Sequence, residues 1–571
     1  MNVMSVQGLS KSFGEREILK NIQFDIQKGE KIGLVGWNGA GKSTLMKMMI
    51  GELEPDKGVI TFWPNDIRIG YLPQSLKTVP IFEQEWRESG NPLLQISSEL
   101  GLRIGSDFEG EKLEHLSGGE QLKLALTRIW AKQPEFLVLD EPTNHLDMQG
   151  LGWLISEISA YPGSAIIISH DRYFLDQTVT SIFEIEDGEL TVYKGNYSDY
   201  RAEKDRRRNQ QARSYEKQQQ KIKMIEQQVA TLKQWSQKAH REAGKGGSLS
   251  ENRQMGLREF ERAKAKKKDK QLKSKLKRLE LELSKNQVEK PKEEFAVDFQ
   301  FEASEKRGKR ILEAKGVSKQ FGEQCLFEKS HFYLKNGEKA GLMGPNGAGK
   351  TTFIKMLLGE EPVTKGSLWK SDSLDIAYLS QDMGDLPLDK NVLDYFDLEN
   401  WEQFTKVRTI CANMGLSDEI LTHPIGELSN GELTRMKLVK MMVEDHDMLI
   451  LDEPTNHLDL PSREQLEETL KEYSGTILLV THDRYMLEKL CDKLLVIENK
   501  KICRVEMGLR ELEERQSARK QQDKKVQEEE IAIRDLKISQ LLGEISMQKP
   551  GTEEYQRLDR ELQSLMKKRA L

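Results

Sequence analysis

The sequence predicts an α/β fold built twice: two domains with parallel sheets, residues 1–200 and 310–507, joined by a long α-helical hairpin over 201–309 and followed by a helical C-terminal extension over 508–571. Three observations predict it. The stretch Asp140-Glu141-Pro142-Thr143-Asn144-His145-Leu146-Asp147 returns letter for letter as Asp452-Glu453-Pro454-Thr455-Asn456-His457-Leu458-Asp459. A glycine-rich loop stands upstream of each copy, at Gly36 and at Gly344. Between the two copies, residues 163–290 contain no proline and from residue 200 are dominated by Lys, Arg, Gln and Glu, a composition of long helices.

Each acidic copy follows an apolar run, 136–139 and 448–451, of the kind that forms a strand buried on both faces of a parallel sheet. The acidic pair therefore sits at a strand's C-terminal end, which in an open α/β sheet faces the ligand crevice. Two adjacent carboxylates there are placed to hold a hydrated metal ion and to orient an attacking water. A purely structural acidic pair is the competing reading, and the identical second copy weighs against it.

In the first copy a strand over 3–9, a turn at Lys11-Ser12-Phe13-Gly14 and a second strand over 18–26 are expected. The loop Gly36-Trp37-Asn38-Gly39-Ala40-Gly41-Lys42-Ser43-Thr44 follows the apolar run 32–35 and precedes Leu45-Met46-Lys47. Its spacing fits G-x-x-x-x-G-K-[ST], in which backbone N–H groups close around phosphates at a helix N-terminus. Lys42 would reach the β- and γ-phosphates, and the Ser43 hydroxyl would ligate Mg²⁺. Downstream come Gln74, the Ser117-Gly118-Gly119 helix start, and a buried strand delivering His170 to the same sheet edge. In the second copy Phe321 matches Phe13, and Gly344-Pro345-Asn346-Gly347-Ala348-Gly349-Lys350-Thr351-Thr352 matches the loop. Gln381 matches Gln74, Ser429-Asn430-Gly431 matches the Ser117 stretch, and His482 matches His170. Ser117 precedes Glu141 by 24 positions, as Ser429 precedes Glu453.

Together these motifs resemble ABC-type ATPase domains, and two of them in one chain without a membrane domain resemble the ABC-F family. The resemblance covers about residues 1–200 and 310–507, and implies ATP and Mg²⁺ as cofactors. It implies that Phe13 and Phe321 stack on adenine, and that the glycine loops, including Asn38, Thr44, Asn346 and Thr352, bind the phosphates. By the same resemblance Glu141 and Glu453 are catalytic bases, and His170 and His482 are γ-phosphate switches. Ser43, Gln74 and Asp140, with Thr351, Gln381 and Asp452, would lie at the metal. The family further implies a monomer with an intramolecular head-to-tail sandwich pairing Lys42 with Ser429 and Gly431, and Lys350 with Ser117 and Gly119. Asn430 departs from the pattern, standing where the first copy has Gly118, and leaves open whether the two sites hydrolyse equally fast.

The formal net charge of −6 hides an asymmetry: residues 201–290 hold 27 Lys+Arg against 12 Asp+Glu, a net +15 that leaves −21 elsewhere. A charge run is more often a solvated face, but an excess of this size points to a polyanion partner. The helical hairpin is expected to turn at 236–256, with arms of about 40 residues reaching about 60 Å. Trp235, His240 and Arg241 stand near that turn. The segment occupies the place of the linker by which ABC-F proteins contact the ribosome, 23S rRNA and P-site tRNA, near the tRNA exit region and the peptidyl-transferase centre. Lys238-Ala239-His240-Arg241 and Lys273-Ser274-Lys275-Leu276-Lys277-Arg278-Leu279-Glu280 are similar to linkers of the Vga- and VmlR-like branch, which protects ribosomes from lincosamides, streptogramins A and pleuromutilins. A housekeeping translation factor of the same family and, more distantly, the ATPase of a membrane transporter are the alternatives.

No window approaches the roughly 18 apolar residues of a membrane span, and the first 13 residues lack a signal-peptide core, so a cytoplasmic protein is expected. Cys325, Cys411, Cys491 and Cys503 have neither zinc-ligand spacing nor a disulfide framework. The tail, with 14 Lys+Arg against 13 Asp+Glu, is expected to form two helices, over 509–547 and 552–570, around Lys549-Pro550-Gly551.

Overall fold

Apolar runs of five or six residues, too short for a stable helix and rich in Ile, Val and Leu, form the centre of each sheet. The computed structural model describes residues 1–74, 118–144, 146–244, 310–380, 386–398, 400–414, 416, 418–444, 446–456, 458–547 and 553–567, with 263, 266–267, 270–271 and 273–278. It separates into two compact units, one carrying the first copy and the helix that leaves it, the other carrying the second copy and the C-terminal helices.

The first unit contains β1 (Asn2–Phe13), β2 (Arg16–Gln27), β3 (Lys31–Gly36), β4 (Lys57–Phe62), β5 (Ile69–Leu72), β6 (Phe136–Asp140), β7 (Ser164–Ile168), β8 (Ser181–Glu186) and β9 (Glu189–Lys194). Its main sheet has the order β5-β6-β7-β3-β8-β9, parallel except for the β8–β9 hairpin, and β2-β1-β4 forms a separate antiparallel sheet. Every residue of β6 and β7 is buried, as a sheet covered on both faces requires. The second unit contains β10 (Arg310–Phe321), β11 (Gln324–Lys335), β12 (Lys339–Met343), β13 (Lys365–Lys370), β14 (Ile376–Leu379), β15 (Met448–Asp452), β16 (Thr476–Val480), β17 (Lys493–Glu498) and β18 (Lys501–Val505). Here the bridge His331–Cys503 between β11 and β18 merges the two sheets into one of nine strands, β13-β10-β11-β18-β17-β12-β16-β15-β14.

One expectation is corrected at the first hairpin. Lys11, Ser12 and Phe13 are not a turn: β1 continues through them, pairing Phe13 with Arg16, so the turn shrinks to Gly14-Glu15, with Gly14 at φ 60°. Pairing extends because a two-residue loop with glycine at positive φ in its first position closes a hairpin without splaying its strands.

The charged stretch forms one helix, Tyr197–Gly244, of 48 residues. It runs unbroken through 236–244, the first part of the expected turn, since nothing there before Gly244 breaks a helix; residues 245–256 lie outside the described residues. Its root is packed rather than frayed. The Tyr200 hydroxyl donates to Glu184 Oε1 at 2.7 Å, Lys204 pairs with the same buried carboxylate, and the Tyr193 and Tyr200 rings meet edge to face at 4.9 Å. Lys275 Nζ donates to Gln228 Oε1 at 3.2 Å, bringing the returning segment alongside, as a hairpin requires.

The tail forms Leu509–Met547 and Glu553–Lys567. Ile538, Leu541 and Leu562, with Ile545 and Leu558, make a small apolar seam of their own. Leu509 enters the core of the second unit and Glu513 pairs with Arg484, anchoring the longer helix.

Candidate active sites

Strand β3 ends at Gly36, which pairs with Ile185 of β8 at φ 148°; a Cβ there would lie 2.4 Å from the Ile185 carbonyl oxygen. The loop then turns into helix Lys42–Met49 at Gly41, whose φ of 100° is left-handed. Lys42 is buried and donates to the carbonyls of Gly36 at 2.7 Å and Trp37 at 3.0 Å, so the ammonium is held across the loop mouth. Ser43 and Thr44 follow on the first turn, where backbone N–H groups and the helix dipole favour an anion.

Strand β6 carries Asp140 to the same mouth. Burial pushes its carboxyl up, while the Lys42 charge and a hydrogen bond from Ser43 pull it down. Glu141 turns back at φ 50°, a left-handed conformation uncommon for a non-glycine residue. Its Oε1 lies 3.5 Å from His170 Nε2, and the His170 backbone N–H donates to Oε2 at 3.4 Å. A cleft of about 280 Å³ is lined by Phe13, by Asn38, Gly39 and Gly41 of the loop, and by Gln74, Asp140, Glu141 and His170. The expected residues of the first copy thus converge, apart from Gly36, which backs the loop, Gly119, at the start of helix Gly118–Ala131, and Ser117, which lies outside the described residues.

The second copy repeats the geometry with different details. Lys350 opens helix Lys350–Leu358 after the left-handed Gly349 and donates to the Gly344 carbonyl at 2.8 Å. Its Nζ lies 3.5 Å from His482 Nε2, which is 3.6 Å from Glu453 Oε1. Glu453 again stands at φ 50°. Burial, with Asp452 beside it, pushes the Glu453 carboxyl up to about 7. Burial and the Lys350 charge push the His482 imidazole down to about 4, so it is neutral near pH 7. Burial also lowers the Lys350 ammonium and raises Asp452, opposed there by the Tyr378 hydroxyl at 3.4 Å. Thr351 and Thr352 lie on the helix's first turn, with Asn346 and Gly347 in the loop before it; Gln381 falls outside the described residues.

Ser429 caps helix Asn430–Val443 through a reciprocal capping box with Glu432, its hydroxyl donating to Glu432 Oε2 at 2.6 Å. Asn430 takes the first helical position without a positive φ, so the tolerance of asparagine for unusual backbone angles is not drawn on, and Gly431 follows in the same turn. Sequence reasoning missed the hydroxyl pair that ties each acidic turn to its histidine loop. Thr143 Oγ1 meets Ser169 Oγ at 3.1 Å and Thr455 Oγ1 meets Thr481 Oγ1 at 3.5 Å. The repeat of a hydroxyl residue directly before each histidine was the available signal.

A buried lysine, two adjacent carboxylates and a histidine around a glycine loop make a site for a nucleoside triphosphate, and the chain's relatives agree. The family description ABC transporter matches residues 19–144 and 327–456, and a second description of that name matches 183–301. Ribosome protection protein VmlR of Bacillus subtilis (strain 168) is 39% identical over 99% of this chain and 97% of its own length. The chain belongs to the ABC-F family. The putative ATP-binding protein YdiF of the same bacterium is 32% identical over 88% of this chain and 81% of its own. ABC transporter F family member 5 of Arabidopsis thaliana is 30% identical over 87% of this chain and 75% of its own. Among solved structures, a chain from the complex of archaeal ribosomal stalk protein aP1 and archaeal ribosome recycling factor aABCE1 shares the fold, with a TM-score of 0.61 and 22% identity over 90% of this chain and 92% of that one. This ABC-F protein is accordingly an ATPase. No helix among its described residues is long and apolar enough to cross a membrane.

Proposed function

We propose that this ABC-F ATPase acts on the ribosome and protects it from antibiotics bound near the peptidyl-transferase centre. The observation that carries the reading is the end-to-end similarity to a ribosome protection protein, which spans the linker as well as both ATPase copies. The linker's net +15 supports it, since a polyanion partner favours such a charge. Residues 201–290 would contact 23S rRNA and P-site tRNA beside the tRNA exit site, and the drug classes would be lincosamides, streptogramins A and pleuromutilins.

The chemistry proposed at each site follows from its groups. Phe13 and Phe321 stack on adenine, and Lys42 and Lys350 face the β- and γ-phosphates. Glu141 and Glu453 orient the attacking water and draw its proton, a task suited to a carboxyl poised near neutrality such as Glu453. His170 and His482 face the γ-phosphate. Mg²⁺ fits the donors present: Ser43 is hydrogen-bonded to a buried Asp140 whose charge is penalised by burial, a penalty a divalent cation offsets. Gln74 lines that cleft, and Thr351, Gln381 and Asp452 are their counterparts. Bound there, Mg²⁺ would neutralise phosphate charge.

Sucrose-gradient sedimentation of a Glu141→Gln, Glu453→Gln double variant tests both halves of the reading. With ATP it should bind nucleotide, turn over none, and co-migrate with ribosomes; loss of ATP binding would remove the acidic pair from its role, and sedimentation apart from ribosomes would remove the partner. Expression of the intact chain in a susceptible bacterium should raise tolerance of at least one of the three drug classes. Relief of stalled translation without drug tolerance would favour a housekeeping translation factor.

A further inference from the structure

In both copies the ring proposed to stack on adenine rests on a lysine two residues upstream, where strand alternation puts both side chains on one face. Lys11 Nζ lies 5.8 Å from the centre of the Phe13 ring, and Lys319 Nζ lies 4.5 Å from that of Phe321. Neither ammonium is free to swing away. Lys11 donates to Asp56 Oδ1 at 2.7 Å and to the Glu54 carbonyl at 2.8 Å. Lys319 donates to Glu361 Oε2 and to the Pro362 carbonyl, both at 2.8 Å.

The rings themselves are left half in solvent, Phe13 at 52% and Phe321 at 45% exposure, while Lys319 is only 4% exposed. This inverts the usual order, in which the phenyl ring is inside and the ammonium outside. A lysine serving only to tie β1 or β10 to a neighbouring turn needs no aromatic face above it. The acids differ between copies, aspartate in one and glutamate in the other, yet both bring the cation under the ring. The turns that hold the lysines are fixed in turn to the phosphate-loop helices: the Glu52 N–H donates to the Lys47 carbonyl and the Glu360 N–H to the Lys355 carbonyl, each at 2.9 Å.

We propose that Lys11 and Lys319 are positioning residues for the nucleotide base. Each grips the rear face of its phenylalanine through a cation–π contact and holds the front face ready for the purine. The inference rests on the reading of Phe13 and Phe321 as base-stacking rings. Its physical content is preorganisation: a ring already immobilised loses less freedom when the base arrives. The ammonium is in turn referenced to the helix that carries Lys42 or Lys350, so base and triphosphate are received on one frame.

The test uses the full-length protein with Lys11→Met and Lys319→Met combined. The KM for ATP should rise by about three- to ten-fold, the size of a partly desolvated cation–π contact, with kcat changed by less than about two-fold. Inhibition by inorganic tripolyphosphate, which has no base, should be unchanged, and Lys→Arg at both positions should restore the KM. Phe13→Leu with Phe321→Leu separates the two layers of inference. If that pair raises KM and the methionine pair does not, the lysine role is overturned and the stacking reading stands. If the leucine pair leaves KM unchanged, the stacking reading falls and takes the lysine role with it. Equal weakening of ATP and tripolyphosphate, or no restoration by arginine, would overturn the proposal by reducing the lysines to structural ties. Should the buried Lys319→Met chain fail to fold, Lys11→Met alone, at a more exposed side chain, gives the same reading at the first site.

Discussion

Glu453 combines a left-handed backbone with a carboxyl pushed up to about 7, and both depart from what its residue type prefers. The elevated carboxyl has a consequence for stability. The folded chain keeps this proton up to about pH 7, whereas an unfolded chain releases it near its ordinary value of 4.5. Protonation therefore favours folding fully below about pH 4.5, and that contribution is lost as pH rises through 7. His482, pushed down to about 4, works in the other sense: its contribution is present above 6.5 and lost as pH falls through 4. At pH 8 only the Glu453 penalty remains, of the order of 3 kcal/mol before relaxation. Glu453→Gln should thus raise the unfolding midpoint of the nucleotide-free protein at pH 8 and do so much less at pH 4.5. Equal shifts at both pH values would mean that the carboxyl ionises normally. The meeting of Lys350, Glu453 and His482 could be read in advance, because motifs at one repeated spacing imply strands that end at one sheet edge. The sign of the Glu453 φ and the lysines beneath the rings could not, since they depend on register and on side-chain direction, which the order of motifs does not encode; the hydroxyl pairs left a trace only in the hydroxyl residue repeated before each histidine.

At the scale of elements, the strands and the long helix were legible for different reasons. Strands β6, β7, β15 and β16 announce themselves as apolar runs because both sheet faces are covered, whereas helix Tyr197–Gly244 is legible only through its composition and missing prolines. The extent of β1 was misjudged because Lys11, Ser12 and Phe13 look like loop residues, and only pairing with β2 makes them strand. The root of the long helix is where element and sheet are joined. Glu184 is buried on β8, and its carboxylate accepts from Tyr200 and Lys204 of the helix. Tyr200→Phe keeps the ring packing and deletes one donor to a buried acid, so it should destabilise the first unit by about 1–3 kcal/mol. Hydrogen exchange should quicken over residues 197–204 while ATP turnover without ribosomes is little changed. Unaltered exchange there would show that the Tyr200 hydroxyl does not secure the helix.

For the whole molecule, the uneven charge is the feature to test. If the linker neutralises RNA phosphates, ribosome affinity should fall steeply between about 50 and 200 mM salt, and each contact removed should flatten the slope by about one. Lys273, Lys277 and Arg278 are exposed on the returning segment. Reversing all three to glutamate should flatten the dependence in sedimentation or filter-binding titrations; an unchanged slope would mean that they only solvate their helix. The anchored helix adds a mechanical side to the same contact. At 1.5 Å per residue its 48 residues extend about 70 Å, so turning the root by about 5° sweeps the far end through about 6 Å. That is a nucleotide's width, produced by a displacement at Tyr200 of less than an ångström. The helix would thus act as a pointer aimed from its root, where Tyr200 and Lys204 meet Glu184 and Ser198 meets Asp176, and tightening or loosening those ties would change where it points.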